Sequence, residues 1–283
     1  MNLTTLLPPN PLKTLIEEGL LVLRMPKGIQ DSVKATFDAG YSFFREPVNS
    51  KNAFIFEQDL GYRPFGGEYS VSPDFPDQLE SFSVSPRLTV SDERLSLASA
   101  LTLQKQMSET FDLIETIVEA LTMKLSNQVS EGRIGNHLRG KLRAWSRLQL
   151  NYAKPADLAL PFINETHEDL DLLTLTCSPQ PGLEIRLVDD FVPMDTTSEQ
   201  LIVFPGEIAW LLSGGKLKPV YHRVRTHPRI RERISLLFFA DPEPSSCEAW
   251  ITTNTNRGVD IAARVHTNVG RFGLKGFKDD IGS

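Results

Sequence analysis

The chain has 283 residues, 30 Lys+Arg against 36 Asp+Glu for a formal charge of -6, and 40% hydrophobic residues. That balance is globular rather than disordered, and an acidic chain is a poor candidate for coating nucleic acid. Its two cysteines, Cys177 and Cys247, are too few for a disulfide scaffold or a Cys-rich zinc or iron–sulfur site.

The N-terminal run MNLTTLLPPNPLKTL has no basic leader followed by a long apolar core. Apolar runs such as Leu236 to Ala240 fall far short of the roughly 18–20 residues a spanning helix needs. A cytoplasmic protein, with neither membrane nor nucleic acid as partner, is the expectation.

Leu20 to Leu23 reads as a short strand stopped by Pro26 and Gly28. A helix should follow, capped near Asp31 or Ser32, because Val33, Phe37, Tyr41 and Phe44 recur at three and four residues. From Lys51 to Pro86, the density of Gly, Pro and Ser predicts loops and tight turns. Met107, Phe111, Ile114, Val118, Leu121 and Leu125 then form the stripe of a long amphipathic helix.

After residue 145 the texture changes. Arg147 to Tyr152 alternates, with Leu148, Leu150 and Tyr152 on one side. Further strands are expected at Leu172–Thr176, Leu183–Val188, Gln200–Phe204, Val220–Arg225 and Arg233–Phe239, separated by Pro and Gly turns. Several short strands with regular turn signals mean a β-sandwich or barrel, buttressed by the helical N-terminal third. Acids gather between Pro161 and Gln200 and bases between Lys216 and Arg233, each stretch readable simply as a solvated face.

The sharpest local signal is His167-Glu168-Asp169. If His167 opens a strand, His167 and Asp169 project to one face, which makes two-thirds of a facial triad for non-haem Fe(II). His222, in Val220 to Val224, offers a second imidazole. Eleven residues on, Arg233 and Ser235 share a strand face, and an Arg fork beside a hydroxyl suits a carboxylate.

This order, His167-x-Asp169, His222, Arg233-x-Ser235, resembles the Fe(II)/2-oxoglutarate-dependent oxygenases of the isopenicillin-N-synthase-like family. Pro181 to Ile185 is similar to that family's GGLQV segment, Pro205 to Lys218 to its GDxLxxxTNGxxKS stretch, and Val220 to Val224 to its xxHRV. Tyr41 to Pro47, Gly61 to Pro64 and Glu80 to Phe82 look like its N-terminal region, so the likeness covers roughly residues 18 to 242.

The resemblance implies a mainly β fold with flanking α-helices, a distorted double-stranded β-helix or cupin-like jelly roll. One oxygenase domain would span 1–283, with helical support and lid in 1–130, the jelly-roll core in 145–242 and a C-terminal extension in 243–283. It also implies Fe(II) on His167, Asp169 and His222, with 2-oxoglutarate held by Arg233 and Ser235. Tyr152 and Asn151 would touch the cosubstrate as well. The reaction implied is oxidation, by default hydroxylation, of a C–H bond of a small molecule by dioxygen, with release of succinate and carbon dioxide. Asp169, where a halogenase would carry Ala or Gly, argues against halogenation. The alternatives are an Fe(II) oxidase of this fold that does not use 2-oxoglutarate, carrying out ring closure or desaturation, and a non-catalytic metal- or ligand-binding jelly roll.

Substrate contacts are expected from Tyr62, Arg63, Phe65 and Tyr69 on a covering loop, and from Trp210, Phe239 and the His266–Phe272 stretch opposite. Arg63 facing the pocket would favour a carboxylate on the substrate, whereas Glu168 or Asp171 there would favour a cation.

Overall fold

From Arg147 onward, residues alternate between two environments, and the alternating stretches pair into antiparallel sheets. The computed structural model describes residues 6–56, 60–87, 97–130, 142–154 and 160–243. Its larger sheet has seven strands, in spatial order β1 (Leu21–Arg24), β9 (Gln200–Pro205), β6 (Leu173–Cys177), β11 (Arg233–Ala240), β4 (Arg147–Ala153), β3 (Glu80–Val84) and β2 (Gly61–Arg63). The smaller sheet runs β5 (Phe162–His167), β10 (His222–Arg225), β7 (Leu183–Leu187) and β8 (Asp190–Pro193). Ile163, Leu183, Ile185 and Val224 of the small sheet pack against Ala153, Ile202 and Phe204 of the large one, which closes the jelly roll.

The outer face of the large sheet is covered by helices. Tyr152 on β4 is 2% exposed, and Leu148, Leu150, Ile234, Leu236 and Phe238 on β4 and β11 are completely buried. Above them lie α2 (Lys27–Phe44) and the 33-residue α4 (Ala98–Ser130), whose stripe from Met107 to Leu125 is equally buried. Two shorter helices, α1 (Pro11–Glu18) and α3 (Val48–Lys51), flank α2 along the chain. Phe111 meets Phe238 at 4.9 Å between ring centroids. Each large apolar side chain so buried contributes about 1.5–3 kcal/mol, so this sandwich of sheet and helix is where the fold's stability is concentrated. Among the described residues no helix is long and apolar enough to cross a membrane.

Several expectations need correction. The helix after the first strand starts at Lys27, not near Asp31, because Pro26 turns the chain in and its carbonyl already accepts from Ile29 and Gln30. The 51–86 stretch is not all loop: β2 and β3 extend the large sheet. In β3, Phe82 and Val84 are buried while Ser81 and Ser83 turn inward beside Asn151 and Gln149, so a serine-rich strand carries little apolar signature. The short strand β8 was not expected, and the first strand begins at Leu21.

Candidate metal and cosubstrate site

His167 closes β5 and His222 opens β10, and the two sit opposite each other across the strand pair. Their ring centroids are 4.3 Å apart, and Phe204 packs 4.8 Å from the His222 ring. Two register shifts follow, pairing Val224 with Asn164 and Arg225 with Phe162. These bulges leave Phe162 outside with the arginines, while Asn164 and His167, three residues apart, both stand opposite inward-facing residues.

Asp169 reaches the histidines by a different route from the one expected. The strand ends at His167 rather than starting there, so Asp169 belongs to the following loop and alternation does not place it. The loop is fixed by the start of the short helix α5 (Glu207–Leu212): Glu207 N–H donates to the Asp169 carbonyl at 2.9 Å and Ile208 N–H to that of Asp171 at 3.2 Å. Gly206 permits this approach, since a Cβ there would come within 2.7 Å of Asp171 Oδ1 and 2.9 Å of the Asp169 carbonyl oxygen.

The result is a compact donor set. His167 Nε2 lies 3.6 Å from Asp169 Oδ1 and His222 Nε2 lies 3.8 Å from Asp169 Oδ2, too far for hydrogen bonds, and the three ligand atoms fall within 4.8 Å of one another. The other ring nitrogens are tied back: His167 Nδ1 to the Glu165 carbonyl at 2.7 Å and His222 Nδ1 to that of Val220 at 3.1 Å. That fixes Nε2 as the lone-pair face of each ring. Burial, with the second imidazole close by, pushes the His167 pKa down, which favours the neutral ring able to ligate. Two imidazoles and a carboxylate converging in this way fit a non-haem Fe(II) ion, with part of its coordination sphere left open.

Behind the donors stand Thr174 and Asp77, which the sequence reading missed, and Asp171, which it named only as a possible substrate contact. Thr174, on β6, donates its hydroxyl to Asp169 Oδ2 at 2.5 Å and also touches Asp171 Oδ2 at 2.9 Å. Burial, with Asp169 and Asp241 nearby, raises the Asp171 carboxyl well above the usual range. On the other side, Asp77 accepts from Ser70 Oγ and Asn164 Nδ2, both at 2.9 Å. None of these partners stands at a readable spacing from the His-x-Asp; sheet register and the bulges bring them in.

Arg233 supplies a buried cation. It is 6% exposed, with Nε donating to the Pro181 carbonyl at 3.1 Å and Nη1 to Ser235 Oγ at 2.9 Å. Among the described residues no carboxylate pairs with it, and burial pushes its pKa down to about 10. Opposite it on β4 stands Ala153, which leaves room, and Gly182 (φ 126) lets the β6–β7 turn pass close by. A buried guanidinium with donors to spare fits one carboxylate of 2-oxoglutarate.

Asn151 stands in register with Ser235 on this inner face and receives a hydrogen bond from Gln149 Nε2 at 2.8 Å. Tyr152 does not join it. One residue on, it projects to the outer face, where it stacks on Phe44 at 5.0 Å and donates to Glu232 Oε1 at 2.7 Å. Two consecutive strand residues cannot share a face, so the expected cosubstrate contact from Tyr152 is corrected.

Of the expected substrate contacts, Phe239 is inward and buried, and Arg63 is inward but engaged with Glu68 at 2.6 Å. Tyr69 is half-buried. Phe65 and Trp210 are largely exposed, and Tyr62 is buried in the outer core, donating to Glu80 Oε2. The His266–Phe272 stretch lies outside the described residues.

Fold and site together define a jelly-roll protein built around two histidines and a carboxylate that could hold a metal ion. Residues 145–242 match the family described as the 2OG-Fe(II) oxygenase superfamily. The chain is 27% identical over 243 residues to gibberellin 2-beta-dioxygenase 8 of Arabidopsis thaliana, covering 82% of this chain and 68% of the relative. It is 24% identical over 225 residues to a feruloyl CoA ortho-hydroxylase of Ipomoea batatas, covering 78% of this chain but 62%, under two thirds, of that relative. Among solved structures, a full-length Neurospora crassa protein in complex with alpha-KG (2-oxoglutarate) superposes with a TM-score of 0.75 at 15% identity, over 92% of this chain and 88% of that one. Over residues 145–242 the chain is thus similar to the 2OG-Fe(II) oxygenase superfamily, and the donor set and buried arginine fit that family's Fe(II) and 2-oxoglutarate.

Proposed function

We propose that this protein hydroxylates a C–H bond of a small molecule, with His167, Asp169 and His222 holding Fe(II) and Arg233, Ser235 and Asn151 holding 2-oxoglutarate in one domain spanning 1–283. The convergence of three ligand atoms within 4.8 Å, together with a buried Arg233 that no carboxylate pairs with among the described residues, is the observation that carries this reading. Bound there, Fe(II) supplies dioxygen activation coupled to the breakdown of 2-oxoglutarate to succinate and carbon dioxide.

The chain's own residues orient and enclose. The Glu165 and Val220 carbonyls hold the imidazoles in a single tautomer, and Thr174 fixes the Asp169 carboxylate. Arg233 and Ser235 would hold one carboxylate of 2-oxoglutarate. Phe204, Ile185, Ile202 and Val224 belong to one buried apolar cluster, with Phe204 and Ile185 beside His222.

Anaerobic titration of the Fe(II)-loaded protein with 2-oxoglutarate tests the assignment through the weak visible charge-transfer band of the chelate. The band should appear in wild type, need far more 2-oxoglutarate in Arg233→Gln, and be absent in His222→Ala. If iron binds but no band forms, the protein is instead an oxidase of this fold that takes its electrons from the substrate, with Arg233 holding a substrate carboxylate. Binding of substrate with no dioxygen consumption under any condition would make it a non-catalytic binding protein.

A further inference from the structure

Arg147 opens β4 on the inner face of the large sheet, in the row that passes through Phe239 on β11 to Thr174 on β6. Its guanidinium lies over the Phe239 ring, 4.5 Å from the centroid. The Nε is buried with no hydrogen-bond partner, and among the described residues no carboxylate pairs with the group. Asp171 and Asp241 are near enough to feel its charge but do not bond it. Leaving the buried Nε unspent costs about 1–3 kcal/mol. A guanidinium kept there at that cost is a recognition group waiting for its acceptor.

Position separates it from the cosubstrate anchor. Arg147 and Arg233 are opposite Phe239 and Ala153 in the same strand pair, six residues apart along it. At about 3.3 Å per residue that is roughly 20 Å, more than one five-carbon diacid can bridge. Thr174, two strands across from Arg147, bonds the metal-site carboxylate, so Arg147 is only about 10 Å of backbone from the centre. Along these two strands the outward positions are sealed, whereas Arg147, Asn151 and Leu237 keep partial exposure on the inward side. Within the row itself Arg147 is the partly exposed member, while Phe239 and Thr174 are buried.

We propose that Arg147 anchors a carboxylate of the substrate, with Phe239 and Leu237 as the apolar wall along which its carbon skeleton lies. A planar carboxylate matches the fork. This deepens the Fe(II)/2-oxoglutarate assignment and rests on it.

The test uses anaerobic protein loaded with Fe(II) and 2-oxoglutarate, and a matched set of phenylacetate, phenylacetamide and phenethylamine, read by thermal midpoint and by displacement of the charge-transfer band. Phenylacetate should bind wild type in preference to the amide and the amine. Arg147→Gln should weaken phenylacetate by roughly 10–100-fold, and Arg147→Lys, which keeps the charge but not the fork, by less. The Lys variant decides the matter if the Gln variant fails to fold. Equal binding of amide or amine, unchanged phenylacetate binding in the variants, or no phenylacetate binding to wild type overturns the proposal while the cofactor reading stands. Absence of the 2-oxoglutarate band in wild type removes both.

Discussion

The two faces of strands β4 and β11 are built from alternate residues of the same fifteen-residue pair and do opposite jobs. Outward, Leu148, Leu150, Ile234, Leu236 and Phe238 are closed against helices. Inward, Arg147, Gln149, Asn151, Arg233 and Ser235 place charge and amide groups inside the fold. The first face stabilises the protein; the second weakens it in order to hold ligands. Because period two keeps the sets apart, each can be altered with little effect on the other.

The largest functional effect should come from the metal site. His222→Ala removes one of three donors, and we expect iron content after anaerobic loading to fall to background while circular dichroism stays that of the wild type. The largest stability effect should come from the opposite face: Phe238→Ala should cost about 3–5 kcal/mol in urea unfolding, against less than about 1.5 for Leu237→Met, the half-buried inward neighbour. Similar losses from both changes would break the division between the faces.

Arg233 sharpens it. Arg233→Gln should weaken 2-oxoglutarate by roughly 10–100-fold, as a lost charge-assisted pair does. The unliganded protein should be no less stable, and more stable if desolvation outweighs the two lost hydrogen bonds, because burial already pushes this guanidinium's pKa down to about 10. A fall in unliganded stability would show that Arg233 also supports the fold.

How much of this was legible follows the same division. The outer face was readable, since Leu148, Leu150 and Tyr152 alternate and the Met107–Leu125 stripe has helical spacing. The order of His167, Asp169, His222 and Arg233 was readable through family resemblance. Geometry that depends on register was not. Asp169 is placed by the start of α5 and not by strand alternation, and Asn164 reaches Asp77 only because β5 bulges. Tyr152 was misassigned because a resemblance gives a neighbourhood, whereas the pleat decides the face. Arg147 looked like any strand-opening arginine until its row partners, Phe239 and Thr174, were known.

Cys177 tests the sealed face by pH. It is on β6 beside Leu236, and burial pushes its thiol up from 9.0 to about 12. Between those values the unfolded chain has released this proton and the folded protein has not, so folding stability falls as pH rises, by up to about 1.4 kcal/mol per unit for this group alone. Below pH 9 it contributes no slope. Cys177→Ala should flatten the alkaline limb of a urea-midpoint profile relative to wild type, and an unchanged limb would mean that water reaches this side of the sheet.

The smallest effect lies away from both faces, at the tip of the β7–β8 hairpin. Leu187 pairs with Asp190, so Val188 and Asp189 are the whole turn. Val188 adopts φ 58 and is 94% exposed, a β-branched side chain in a left-handed conformation with no packing to offset its Cβ clash. A two-residue turn with positive φ at its first position favours glycine there. Val188→Gly should therefore raise unfolding stability by about 0.5–1 kcal/mol, the relieved clash being partly offset by the added freedom of the unfolded chain. The hairpin tip lies at the edge of the small sheet, with β7 between it and β10, so the 2-oxoglutarate band should be unmoved. If the substitution instead weakens the band, the small sheet transmits the geometry of its tip to His222, and the separation of stability from function holds only for the large sheet.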